Sequence, residues 1–148
     1  MNSLFGEPIV SFSDEYRWLS NFWPVYVEFD GVTYTSVEHA YVASKTTDLN
    51  MRKIVATTES PGKVKRIGRT LTLRSDWDDV RIAFMTSLID QKFDYIPLAQ
   101  KLKATGDRPI IEGNTWGDTF WGQSPLGNGE NNLGKIIMNK REKLNDLS

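Results

Sequence analysis

The 148 residues suit a single domain large enough to bury a core without staples. With 39% hydrophobic and 25% charged residues and a net charge of −1, the composition is that of a globular chain with no whole-molecule attraction for nucleic acid or anionic membrane. The absence of cysteine excludes disulfides, thiolate metal ligands and cysteine nucleophiles, and the single histidine, His39, argues against a zinc site.

No metal or cofactor is expected. Met1 to Val10 lacks the basic start and apolar run of a leader, and no stretch approaches the ~20 apolar residues of a membrane span. A cytoplasmic location without membrane attachment is the default expectation, and the oligomeric state is left open.

In chain order, Ile9 to Phe12 reads as a short strand. Val25, Val27 and Phe29 alternate with Tyr26, Glu28 and Asp30, and Asp30-Gly31 supplies the positive φ of a two-residue turn, so residues 25 to 35 form a hairpin. Thr35-Ser36-Val37-Glu38 matches a capping box, with the Thr35 hydroxyl on an orphan N–H and Glu38 reaching back. A helix follows to about Lys45. Asp48 caps a helix through about Thr57, and Ser60-Pro61 starts another that runs to about Leu71. Ser75 or Asp76 caps the strongest helix, 77 to 93, in which Trp77, Val80, Phe84, Leu88 and Lys92 share a face that Ile82, Met85 and Ile89 widen. A helix over 96 to 104 stops at Gly106, Pro109 to Glu112 reads as a short strand, and a last helix spans 132 to 144. The fold class is α+β: a mostly helical single domain, residues 1–148, with a small antiparallel sheet.

Four groups of residues invite chemistry. Glu38 and Lys45 lie seven residues, about two turns, apart on one helical face with Tyr41 between them. A ligand fits between such a carboxylate and ammonium; equally, Glu38 completes the capping box and Lys45 is a solvated charge at the helix end. The stretch 113 to 132 is long for a loop and rich in Gly, Asn and Trp, and it sets Asp118 among aromatic residues in Gly117-Asp118-Thr119-Phe120-Trp121-Gly122. There the choice is between a ligand-binding loop with a stacking tryptophan and an aromatic turn capped by Asp118. Lys63, Lys65, Arg66, Arg69 and Arg74 form a basic stretch that either grips phosphate or is a solvated helix face. Leu19-Ser20-Asn21-Phe22-Trp23-Pro24 offers donors and acceptors in a loop ahead of the hairpin.

These pieces follow one another in an order that resembles the NADAR family, linked to NAD and ADP-ribose chemistry, which includes the YbiA-like N-glycosidases. The residues that carry the resemblance are Ser20-Asn21-Phe22, Asp30-Gly31 with Tyr34, Ser36-Val37-Glu38-His39-Ala40-Tyr41 through Lys45, and Gly68-Arg69. Trp77, Lys92-Phe93, Glu112, Asp118 with Trp121-Gly122, Asn131-x-Leu133-Gly134 and Arg141 complete it. The Glu-His helix and the Asp-x-x-Trp-Gly loop are its most specific parts. The resemblance implies a compact, mostly helical fold and hydrolysis of an N-glycosidic bond in a phosphorylated ribosyl substrate, either ADP-ribose on guanine or a ribosylamino-pyrimidine phosphate. It implies Glu38, Asp118 and Lys45 as catalytic, and Ser20, Asn21, Phe22, Arg69, Trp77, Trp121, Gly122 and Asn131 as substrate-binding. The expected partner is a small nucleotide-like molecule or ADP-ribosylated nucleic acid. The alternative is a module that binds ADP-ribose or an NAD-related nucleotide without cleaving it. Two departures stand in the loop: Gln123 to Pro125 extend it, and Gly129-Glu130-Asn131 replaces the more familiar Gly-Lys-Asn. The catalytic reading expects the two acids to converge on one anomeric carbon.

Overall fold

The computed structural model describes residues 6–146; Met1 to Phe5, half of the segment read as lacking a leader, lie outside them, as do Leu147 and Ser148. Its contacts group the chain into two compact units, one formed by residues 1–20 with 93–148 and the other by residues 21–92.

The continuous unit starts with an antiparallel hairpin, β1 (Pro24–Phe29) and β2 (Val32–Ser36), irregular in register between Pro24 and Val27. Asp30 and Gly31 both have positive φ, 51° and 79°, as the primed turn requires. Four helices follow: α1 (Val37–Ser44), α2 (Leu49–Thr57), α3 (Pro61–Gly68) and α4 (Trp77–Lys92). Val27, Tyr34, Val37, Ala40, Val42, Val55, Val64, Met85 and Leu88 form their buried core. Arg52 ties α2 down from inside: its Nε donates to the carbonyls of Ala43 and Thr46, at 3.2 and 2.8 Å, and its Nη1 pairs with Asp30 at 2.7 Å.

The other unit joins both ends of the chain. A 3-10 helix over Asp14–Leu19, not anticipated from the sequence because it lacks a helical apolar period, buries Trp18 and Leu19. Trp18 meets Phe93 edge to face, with ring centroids 6.3 Å apart. Helices α5 (Ile96–Ala104) and α6 (Asn132–Asp146) bury Leu98, Leu102, Leu133 and Ile137.

Several details differ from the sequence reading. Ile9 to Phe12 and Pro109 to Glu112 are not strands but the two sides of one parallel bridge, Ile9 to Ile110. The Ile9 N–H donates to the Pro109 carbonyl and the Ile111 N–H to the Ile9 carbonyl, each at 2.8 Å. The Glu112 carbonyl turns instead to the Gln123 N–H at 2.9 Å, so the two segments do not extend into a ladder. Helix α3 ends at Gly68, short of Leu71, because Arg69 and Thr70 turn their N–H groups to Arg66 and Ile67 in a tightened last turn. Ile82 is 46% exposed, off the apolar face assigned to it, whereas Trp77, Met85, Leu88, Ile89 and Lys92 are buried. At the start of α4 the Asp76 carbonyl accepts the N–H groups of Asp79 and Val80. Its carboxylate instead turns back to Arg74 Nε at 2.6 Å, and that hydrogen bond holds the Asp76 carboxyl below its ordinary range.

Candidate active site

The capping box is displaced by one residue. Ser36, not Thr35, is the N-cap of α1: its Oγ accepts the His39 N–H at 3.1 Å. His39 completes the arrangement with its ring. Nε2 lies 2.7 Å from the Thr58 carbonyl, which only accepts, so Nε2 carries the proton and Nδ1 accepts from the Ser36 hydroxyl at 2.6 Å. The one histidine is therefore a buried core group with both ring nitrogens hydrogen-bonded. With Ser36 as the N-cap, the third helical position falls to His39 and the second to Glu38. The Glu38 backbone N–H donates to the Asn21 carbonyl at 3.0 Å, binding the Ser20–Pro24 loop to the first turn of α1.

Along the same helix the side chains form a continuous row. Tyr41 packs on Trp77 with ring centroids 5.3 Å apart, and Lys45 Nζ lies 5.4 Å from the Tyr41 ring centre. Helix α3 approaches closely at Gly68, where an added Cβ would stand 3.5 Å from Lys45 Nζ. Arg69 follows at the C-cap of α3, with an exposed side chain. The unit thus groups Asn21, Glu38, Lys45, Gly68-Arg69 and Trp77 on and around one face of α1, and Phe22 stands 40% exposed beside Asn21 in the chain. Arg74 adjoins this group through its backbone, whose N–H donates to the Lys45 carbonyl at 2.7 Å, while its guanidinium is committed to Asp76 and stacks 5.1 Å over the Phe84 ring.

In the other unit the long loop is tightly stitched. Asn114 clamps it: Nδ2 donates to Glu112 Oε2 at 2.7 Å and to the Asp118 carbonyl at 2.9 Å, while Oδ1 accepts the Asp118 N–H at 3.1 Å. Asp118 then caps the next turn, its Oδ1 accepting the N–H groups of Phe120 and Trp121 at 3.2 and 2.9 Å. Its other oxygen, Oδ2, takes no part in these bonds. Capping and a ligand-facing carboxylate are thus compatible in one side chain. Trp121 meets Phe120 edge to face at 4.7 Å. Gly122 is obligatory, because an added Cβ would fall 1.8 Å from Glu112 Oε2 and 2.0 Å from its carbonyl oxygen.

Asn131, expected to touch substrate, has its side chain committed to the backbone: Oδ1 accepts the Glu112 N–H at 2.9 Å and Nδ2 donates to the Ile110 carbonyl at 3.0 Å. It holds the loop rather than presenting a polar end. Ser20 closes the 3-10 helix through its N–H to the Arg17 carbonyl at 3.0 Å.

Three groups escaped sequence reasoning as site residues. Asn114, itself bonded to Glu112, braces Asp118 through local hydrogen bonds two and four residues long whose geometry residue type does not announce. Lys92 looked like one more position on an apolar helical face, and that placement was the available signal. It is wholly buried, and loss of water lowers its pKa to about 7. Among the described residues no cluster of His, Cys, Asp and Glu is arranged to hold a metal.

The NADAR domain model matches residues 10–145. The chain belongs to the NADAR family. NADAR relatives include the N-glycosidase YbiA of Escherichia coli K12, 35% identical over 139 residues that cover 90% of this chain and 85% of that one. An N-glycosidase of Nostoc punctiforme is 32% identical, covering 89% and 88%. A riboflavin biosynthesis protein of Vibrio vulnificus is 33% identical over 98% of this chain, which spans only 41% of that longer protein. The NMR structure of E. coli YbiA matches with a TM-score of 0.84 at 30% identity, covering 99% of this chain and 89% of that one. The helix-rich NADAR fold with a two-stranded antiparallel sheet is thus the one expected from the sequence. Among the described residues, no helix is long and apolar enough to cross a membrane.

Proposed function

We propose that this N-glycosidase hydrolyses the C1′–N bond of a phosphorylated ribosyl compound, such as ADP-ribose on guanine or a ribosylamino-pyrimidine phosphate. The observation that carries the reading is the cationic and aromatic group on α1 and beside it: Tyr41 packs on Trp77 with ring centroids 5.3 Å apart, and Lys45 Nζ lies 5.4 Å from the Tyr41 ring centre. Glu38 stands three residues before Tyr41 on the same helix, so an acid and a cation share that stretch of α1 with aromatic rings.

The chemistry suits these groups. Cleavage of the C1′–N bond leaves positive charge on C1′ and the ring oxygen, which a carboxylate stabilises. Water adds its oxygen to C1′; one of its protons goes to the acid that activates it, and the leaving nitrogen takes a proton as it departs. Glu38 or Asp118 takes the water-activating role. Lys45 either aids electrostatically or attacks the opened sugar to form an imine. Trp77 walls or stacks the base, and Arg69 takes a phosphate.

The test is Glu38→Gln and Asp118→Asn, both isosteric; the latter keeps the Oδ1 acceptor of the Phe120–Trp121 turn. Each is expected to lose about 100-fold or more in kcat on ADP-ribosyl-guanine DNA or on the ribosylamino-pyrimidine phosphate, with unchanged melting. Full turnover by both variants overturns the assignment. Borohydride trapping decides the role of Lys45: a covalent adduct supports the imine, and its absence leaves the electrostatic one. Tight calorimetric binding of ADP-ribose with no product from either substrate supports the binding module instead.

A further inference from the structure

Asn21 holds a buried polar atom that the fold does not satisfy. Its side-chain oxygen Oδ1 is buried and has no hydrogen-bond partner among the described residues. The rest of the residue is anchored. Its backbone carbonyl accepts the Glu38 N–H at 3.0 Å, and its Nδ2 points to Met85 Sδ at 3.7 Å. Turning the amide over would set its oxygen against the sulfur lone pairs and leave the amide nitrogen unpaired instead, so the unsatisfied end of the amide is the acceptor. A buried carbonyl without a donor destabilises a fold, and its retention calls for an explanation.

We propose that Asn21 Oδ1 accepts a hydrogen bond from the 2′-hydroxyl of the substrate's ribose, making the enzyme selective for ribosyl over 2′-deoxyribosyl N-glycosides. The inference rests on the reading of Glu38 given above. Asn21 is bonded directly to the residue assigned to C1′, so the ligand atom that fills its acceptor lies near that carbon. The ring oxygen has no hydrogen to give. The 2′-hydroxyl, on the carbon next to C1′, is the nearest donor on the sugar. As C1′ becomes positive, that hydroxyl becomes a stronger donor, so the bond tightens in the transition state and acts on kcat more than on KM.

The experiment compares the ribosylamino-pyrimidine phosphate with its 2′-deoxyribosyl counterpart on the wild-type chain, Asn21→Ala and Asn21→Asp. The deoxy compound is intrinsically the more labile, so the quantity read is the change in the ribo-to-deoxy ratio of kcat between proteins. This ratio cancels any loss of folded enzyme. Asn21→Ala is expected to lower it about tenfold or more, almost wholly through the riboside, and Asn21→Asp, which keeps the acceptor, to hold it within about threefold. An equal loss on both substrates, as the removal of a bound structural water or a merely structural role would produce, overturns the inference and leaves the N-glycosidase reading intact. Failure of the wild-type chain to cleave either compound or ADP-ribosyl-guanine overturns both.

Discussion

At the residue scale, Ser36 and Glu38 stand two positions apart and do different work. Ser36 Oγ accepts the His39 N–H and donates to the His39 ring, so Ser36→Ala removes a cap and leaves a buried ring nitrogen unpaired. Urea unfolding is expected to show a loss of about 1–2 kcal/mol, while Glu38→Gln leaves the midpoint nearly unchanged. Lys92 makes a separate prediction. Its pKa of about 7 lies below the ~10.4 of an unfolded lysine. Between those values the unfolded chain holds a proton that the native chain has released, so the fold gains stability as pH rises through this window. Lys92→Met is expected to flatten that rise, measured as urea midpoints from about pH 7 to pH 10. Neither behaviour was legible from residue type. The sequence placed a Ser, a Glu and a His at the start of a helix, but the choice of cap turned on the exact residue where β2 ends. Lys92 fell correctly on a buried face; its burial depends on what that face packs against.

At the element scale, the long loop is built like a small structural element. Asn114 and Asp118 clamp each other, Asn131 bonds the backbone at both Ile110 and Glu112, and the N–H groups of residues 130 to 133 pair with the carbonyls of 119 to 122. Its tightest point is Gly122, where a methyl group would overlap Glu112. Gly122→Ala is expected to destabilise by about 2 kcal/mol or more and to lower activity, checked by thermal melting alongside turnover. Composition alone read this stretch as ordered, since a disordered loop would not be so aromatic, and left open whether it binds a ligand or is an aromatic turn. It could not separate Asn131, which holds the backbone, from Asp118, which caps a turn with one oxygen only. Both are small polar residues in a Gly-rich stretch, and the difference lies in what each side chain reaches.

At the scale of the whole molecule, the chain's two ends are built into one unit. Ile9 is 1% exposed, and its backbone pairs with Pro109 and Ile111. Ile9→Ala is expected to cost about 2–4 kcal/mol. In native-state hydrogen exchange it is also expected to release the Ile111 amide, more than a hundred residues along the chain, before the amides of α1. Such a contact raises contact order and delays completion of that unit until both ends have been made. The sequence reading saw the two apolar runs and assigned each to a strand, but nothing local to either run named its partner.

The sequence by itself determined the helices, the Asp30-Gly31 hairpin, the α+β class and the family, because periodicity, turn chemistry and ordered motifs are local or collinear properties. It also nominated Glu38, Lys45 and Asp118, since an acid or a cation beside aromatic residues is visible in one dimension. Tertiary structure decided which polar atoms are used up. Whether Glu38 is a cap, Asn131 a brace or Asn21 an acceptor without a donor depends on partners brought from elsewhere in the chain, and hydrogen bonds depend on distance and direction that residue order does not contain.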